Sequence, residues 1–118
     1  MKYYELELNG ETIKLRLTSN DCMVIEKKTG KNIAEYVQEM SMTTIINLLM
    51  YMRRSDVANF SEKDATDLFD KLIDNGYTLE TIVSDVLLEG LCVSGFMSKD
   101  DLKSIKEVKS NIKEQIKK

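Results

Sequence analysis

The chain opens on a two-residue alternation of apolar and polar positions. Tyr4, Leu6 and Leu8 are separated by Glu5 and Glu7, and beyond Asn9-Gly10 the residues Ile13, Leu15 and Leu17 are separated by Lys14 and Arg16. Period two marks a strand with one buried face, and Asn-Gly supplies the positive φ angles of a two-residue turn, so a hairpin is predicted. The turn sets the register. Leu8 pairs with Glu11, Leu6 with Ile13 and Tyr4 with Leu15 on a dry face, while Glu5 meets Lys14 and Tyr3 meets Arg16 on a wet one. A lone hairpin is marginally stable in water, so its dry face must lie on helices or its strands, Tyr3 to Leu8 or Thr12 to Leu17, must join another chain's sheet.

From Thr18 the spacing becomes helical. Thr18 or Ser19 is an N-cap with Asp21 at the positive end of the helix dipole; Cys22, Ile25 and Val24 face inward; Lys27 and Lys28 load the last turn and Gly30 stops it. A short helix over Asn32 to Glu39 turns Ile33, Tyr36 and Val37 to one side. Ser41 to Arg54 is apolar nearly all round its axis, with Asn47 and Tyr51 as its polar interruptions between Ile45 and Met52, so it belongs in the middle of the core. Ser55 to Asn59 is the expected flexible loop.

The second half starts three helices with a hydroxyl N-cap: Ser61 with Asp64, Thr78 with Thr81, and Ser98 with Asp101. The first turns Ala65, Leu68, Phe69, Leu72 and Ile73 inward and ends at Asn75-Gly76. The second presents Leu79, Ile82, Val83, Val86 and Leu87 and frays between Gly90 and Gly95. The third carries Leu102, Ile105, Val108, Ile112 and Ile116 in one stripe among lysines. The expected fold is mostly α, within the α+β class: an N-terminal β-hairpin packed on a bundle of about five or six helices. It forms one domain over 1–118, made of a hairpin (1–17), a helical core (18–97) and a basic amphipathic C-terminal helix (98–118).

Composition changes this picture little, with 42% hydrophobic and 31% charged residues in 118, values ordinary for a soluble domain. No apolar run approaches the ~20 residues of a membrane span, and the first residues lack the apolar stretch of a signal peptide, so a cytoplasmic protein is expected. Cys22 and Cys92 are far apart and no Cys-x-x-Cys occurs, which fits two buried thiols better than a disulfide or a zinc site. Net charge hides a gradient: balanced over 1–60, −6 over 61–97 and +3 over 98–118. Head-to-tail self-association, and hence a homo-oligomer, is one expectation from it; two solvated helix faces are the other.

Candidate chemistry is sparse. With no histidine, histidine triads, Cys-His pairs and histidine metal sites are excluded. Asp67, Asp70 and Asp74 share a side opposite the apolar stripe and read as a solvated face. A calcium loop centred on Gly76 would need Lys71 and Ile73 as ligands, so none is expected there, and no glycine-rich phosphate loop exists. No cofactor, metal or small-molecule substrate is expected. A helix entering DNA after Gly76 would bring Glu80, Asp85 and Glu89 and no basic residue between Thr78 and Ser98, so nucleic acid is not an expected partner.

The order of elements carries a resemblance. The hairpin feeding LRLTSNDCMVIEKKTGKNIAEYV, the apolar helix at Ile45 to Met52, DATDLFDKLIDNGYTLETIVSDVL and the late Ser-Gly before a basic tail together resemble the tail assembly chaperones of long-tailed phages and prophages of Gram-positive bacteria. The best markers are the Leu-Thr start with Glu26-Lys27-Lys28-x-Gly30-Lys31-Asn32, and Asp67 to Tyr77 with Asp70 and Gly76. The resemblance covers nearly the whole chain. It implies a small, non-enzymatic protein that coats the helical tape measure protein, keeps it soluble and helps deliver tail tube subunits in the host cytoplasm. It also implies a minor longer product made by a backward frameshift near the end of the gene, for which Lys117-Lys118 is the place to look. Unbranched thioethers adapt to varied surfaces, so Met40, Met42, Met50 and Met52 are candidate client contacts, two of the four being expected in the core instead. Leu102, Ile105, Ile112 and Ile116 complete the candidate partner-binding set. A small regulatory adaptor acting through its hairpin edge or last helix is the alternative.

Overall fold

The structure, a computed structural model, describes residues 2–98 and 100. It begins with the hairpin, β1 (Tyr4–Leu8) antiparallel to β2 (Glu11–Leu15), in the expected register: Tyr4 opposite Leu15, Glu5 opposite Lys14, Leu6 opposite Ile13, Leu8 opposite Glu11. Asn9 and Gly10 hold φ angles of 53° and 78° at the turn, which asparagine and glycine accept most readily.

Four helices follow: α1 (Ser19–Thr29), α2 (Ile33–Glu39), α3 (Met42–Arg54) and α4 (Glu62–Asp74). Three of their starts are closed by reciprocal hydrogen bonds between cap and third residue: Thr18 with Asp21, Asn32 with Glu35, and Ser61 with Asp64, each satisfying N–H groups that the helix cannot. Ser41 caps α3 through the Thr44 N–H. Beyond Gly76 one continuous rod forms from α5 (Leu79–Thr81), a π-helical segment (Ile82–Leu88) and α6 (Glu89–Ser94), closed at Gly95 in the left-handed conformation. The mostly α architecture with a small β part is as expected.

α3 is the element on which the others converge. It touches α2, α4, β2 and the π segment, while α6 lies on β1. Ile45, Leu48, Leu49 and Met52 are at 2% exposure or less. Around them pack the dry face of the hairpin, Ala65, Leu68 and Leu72 of α4, and Ile82, Val86, Leu87, Leu88 and Leu91 of the rod. The hairpin is fastened to this core by polar bonds as well. The Arg16 N–H donates to the Met52 carbonyl at 2.9 Å, the Leu17 N–H to Ser94 Oγ at 3.0 Å, and the Arg53 guanidinium to the Lys14 carbonyl at 3.3 Å. The first of these satisfies a carbonyl that the end of α3 leaves open. Two groups on the outer edge of β2, the Arg16 N–H and the Lys14 carbonyl, are thereby bonded within the fold.

Three expectations are corrected. Ile73 and Leu79 are exposed at 39% and 48%: the buried row of α4 runs through Ala65, Leu68, Phe69 and Leu72 with Ile73 beyond its border, and Leu79 sits in the first turn of the rod. The rod does not fray after Gly90 but runs on to Ser94. Cys22 and Cys92 are both only partly buried. At the open end of the hairpin the Lys14 ammonium lies over the Tyr3 ring at 5.8 Å, and Arg16 donates to the Lys2 carbonyl at 2.7 Å.

Candidate partner-binding surface

The methionines proposed as client contacts divide by position on α3. Met50 and Met52 are at 6% and 0% exposure, the Met52 methyl lying toward Gly90 of the rod, so these two of the four belong to the core. Met42, in the first turn, is 48% exposed. Met40 closes α2 in the left-handed conformation, φ 43° and ψ 38°, and is partly buried against the core. Leu102, Ile105, Ile112 and Ile116, like the C-terminal stripe as a whole, lie outside the described residues. Apolar exposure that spacing alone did not indicate comes from Met23 on α1 at 52% and from Ile73 and Leu79 on either side of the Asn75-Gly76 turn.

The charged groups arrange themselves on the surface rather than around a cleft. Asp67, Asp70 and Asp74 are all exposed on α4, with Lys63 3.6 Å from Asp67. An open groove of about 210 Å³ between the hairpin turn and α4 has Ile13, Phe60 and Leu68 as its floor and Glu11, Asp67 and Lys71 at its rim. Arg53, at its side, already serves the Lys14 carbonyl and the Asp56 carboxylate, 2.8 Å away. Among the described residues no group of three acidic or cysteine side chains is placed to hold a metal ion, and every buried side-chain nitrogen and oxygen has a hydrogen-bond partner.

Three shifted groups show how the local surroundings act. Burial pushes the Cys22 thiol up, with Asp21 and Glu26 adding to it, so this cysteine stays protonated and a poor nucleophile. Burial likewise raises the Tyr4 hydroxyl, reinforced by Tyr77, Glu89 and Asp85. Asp64 is held below the usual carboxylate range first by the Ser61 N–H and then by the Ser61 hydroxyl. The first two keep a proton and the third caps a helix; none is poised near neutral pH for proton transfer. No helix of the described residues is long and apolar enough to cross a membrane. Comparison with family models, with curated proteins and with solved structures finds no match.

Proposed function

We propose that this protein is a non-enzymatic assembly chaperone of long-tailed phages, binding and solubilising the tape measure protein and assisting tail tube assembly. The sequence resemblance supplies the identity of the client. The structural observation that supports a binding role is the set of half-exposed apolar side chains, Met23, Met42 and Leu79 foremost, standing on a domain whose core is otherwise closed. Such residues, flexible and apolar, suit a weak grip on many segments of a long helical client, multiplied by many copies along it.

The experiment is co-expression with a tape measure protein of a long-tailed phage. Soluble client should rise with this chain present and co-purify with more than one copy of it, and Met23→Glu with Met42→Glu should lower that yield while leaving the circular dichroism unchanged. Equal soluble yield with and without the chain would remove the proposal.

A further inference from the structure

With a two-residue turn, alternate cross-strand pairs exchange both backbone hydrogen bonds, here Leu8 with Glu11, Leu6 with Ile13 and Tyr4 with Leu15. The N–H and C=O groups of Glu5 and Glu7 therefore point away from β2, as do those of Thr12, Lys14 and Arg16 on the opposite edge. On the β2 edge, Arg16 and Lys14 bond to Met52 and Arg53. On the β1 edge the backbone groups of Glu5 and Glu7 have no partner among the described residues, and both residues are exposed. The strand is nonetheless held in place: Leu6 and Leu8, at 5% and 4% exposure, are fixed in the core on its dry face. A rigid strand with a free row of donors and acceptors is a template for one more strand.

The side chains select which strand. Glu5 and Glu7 share the wet face, and the cations of β2 on that face are turned toward the start of β1, Lys14 over the Tyr3 ring and Arg16 onto the Lys2 carbonyl. The Glu7 carboxylate accepts from the Thr12 hydroxyl, and among the described residues neither glutamate is in an ion pair. An incoming strand sets its side chains about 5 Å from those opposite, close enough for lysine or arginine to pair with both carboxylates. A second copy of β1 would instead bring its own glutamates onto the same face, where like charges repel. We infer that the open edge of β1 is a docking site for an extended segment of a partner protein in which lysine or arginine alternates with apolar residues.

This site is independent of the tape measure client, and its test does not use that protein. The full-length chain is titrated with a synthetic peptide alternating valine and lysine and with one alternating valine and glutamate, following amide exchange at Glu5 and Glu7 by NMR. The lysine peptide should slow exchange at both amides and bind about tenfold more tightly than the glutamate peptide. Glu5→Lys with Glu7→Lys should reverse that order, and N-methylating the lysine peptide on alternate residues should abolish binding. Unchanged exchange at both amides, or equal binding of the lysine peptide to the parent chain and the double variant, would overturn the assignment. So would protection of those amides that grows with protein concentration alone, since that would give the edge to a second copy.

Discussion

At Gly90 a hydrogen atom does what no other side chain could do without displacement. A Cβ built there would stand 2.3 Å from the terminal methyl of Met52, with Tyr4 Cβ at 3.8 Å. Alanine gains about 1 kcal/mol over glycine in a helix, but forcing a methyl into a packed site costs about 1–3 kcal/mol, and Met52 is fully buried. Gly90→Ala should therefore lose about 1 kcal/mol in urea unfolding, and the cost of Met52→Ala should be smaller in that background because the new methyl fills part of the space. A neutral or stabilising Gly90→Ala would mean that Met52 swings aside freely. Spacing could not foresee this contact, because a glycine between Leu87 and Gly95 reads as a weak point until its neighbour is known. The same blindness applied to the four methionines: α3 is apolar on every side, so periodicity could not tell Met52, deep beneath the rod, from Met42 at its solvated start.

Helix starts were legible because caps are local chemistry. Thr18, Asn32, Ser41, Ser61 and Thr78 each accept the N–H of the residue three positions on, a relation carried by the sequence itself. Ser61→Ala should cost about 1 kcal/mol. The lowered Asp64 pKa makes its contribution present above the ordinary carboxylate range and lost as pH falls through the lowered value. Asp64→Asn should thus flatten the acid side of the stability profile, and an unchanged acid limb in urea midpoints would discard the Asp64 cap as its source. The π segment was not recognised, because its buried residues Ile82, Val83, Val86, Leu87 and Leu91 recur at three and four as they would in an α-helix, and i→i+5 bonding leaves no separate mark in that spacing. Leu88→Ala, at a further buried position, should cost about 2–5 kcal/mol, whereas Leu79→Ala at the exposed first turn should stay within about 0.5 kcal/mol. Similar costs at the two positions would return the rod to an ordinary α-helix with its stripe rotated.

On the scale of the whole molecule, the hairpin register follows from Asn9-Gly10 and the alternation, but not what the hairpin leans on. That depends on groups distant in sequence: the Met52 carbonyl, Ser94 Oγ, and the Asp85 carbonyl that accepts the Tyr4 hydroxyl. Leu15 and Leu17 are fully buried, so the hairpin cannot leave without opening the core around α3, and the domain should unfold in one transition. Native-state exchange should then place the Leu6 and Ile13 amides, which are in the ladder, at the same opening free energy as Leu48 and Leu49. Tyr4→Phe probes the link to the rod. It leaves the Asp85 carbonyl without its tyrosine donor and should cost about 1 kcal/mol. The raised Tyr4 pKa adds a pH signature: its contribution is fully present below the ordinary tyrosine value and is lost as pH rises through the raised one. Stability of the parent chain should accordingly fall on the alkaline side, and Tyr4→Phe should make that fall shallower, with the remainder coming from Tyr36 and Cys22, which burial also raises. If the Leu6 and Ile13 amides exchange well before those of α3, the hairpin opens by itself, and neither Tyr4 nor the bonds at Met52 and Ser94 tie it to the fold.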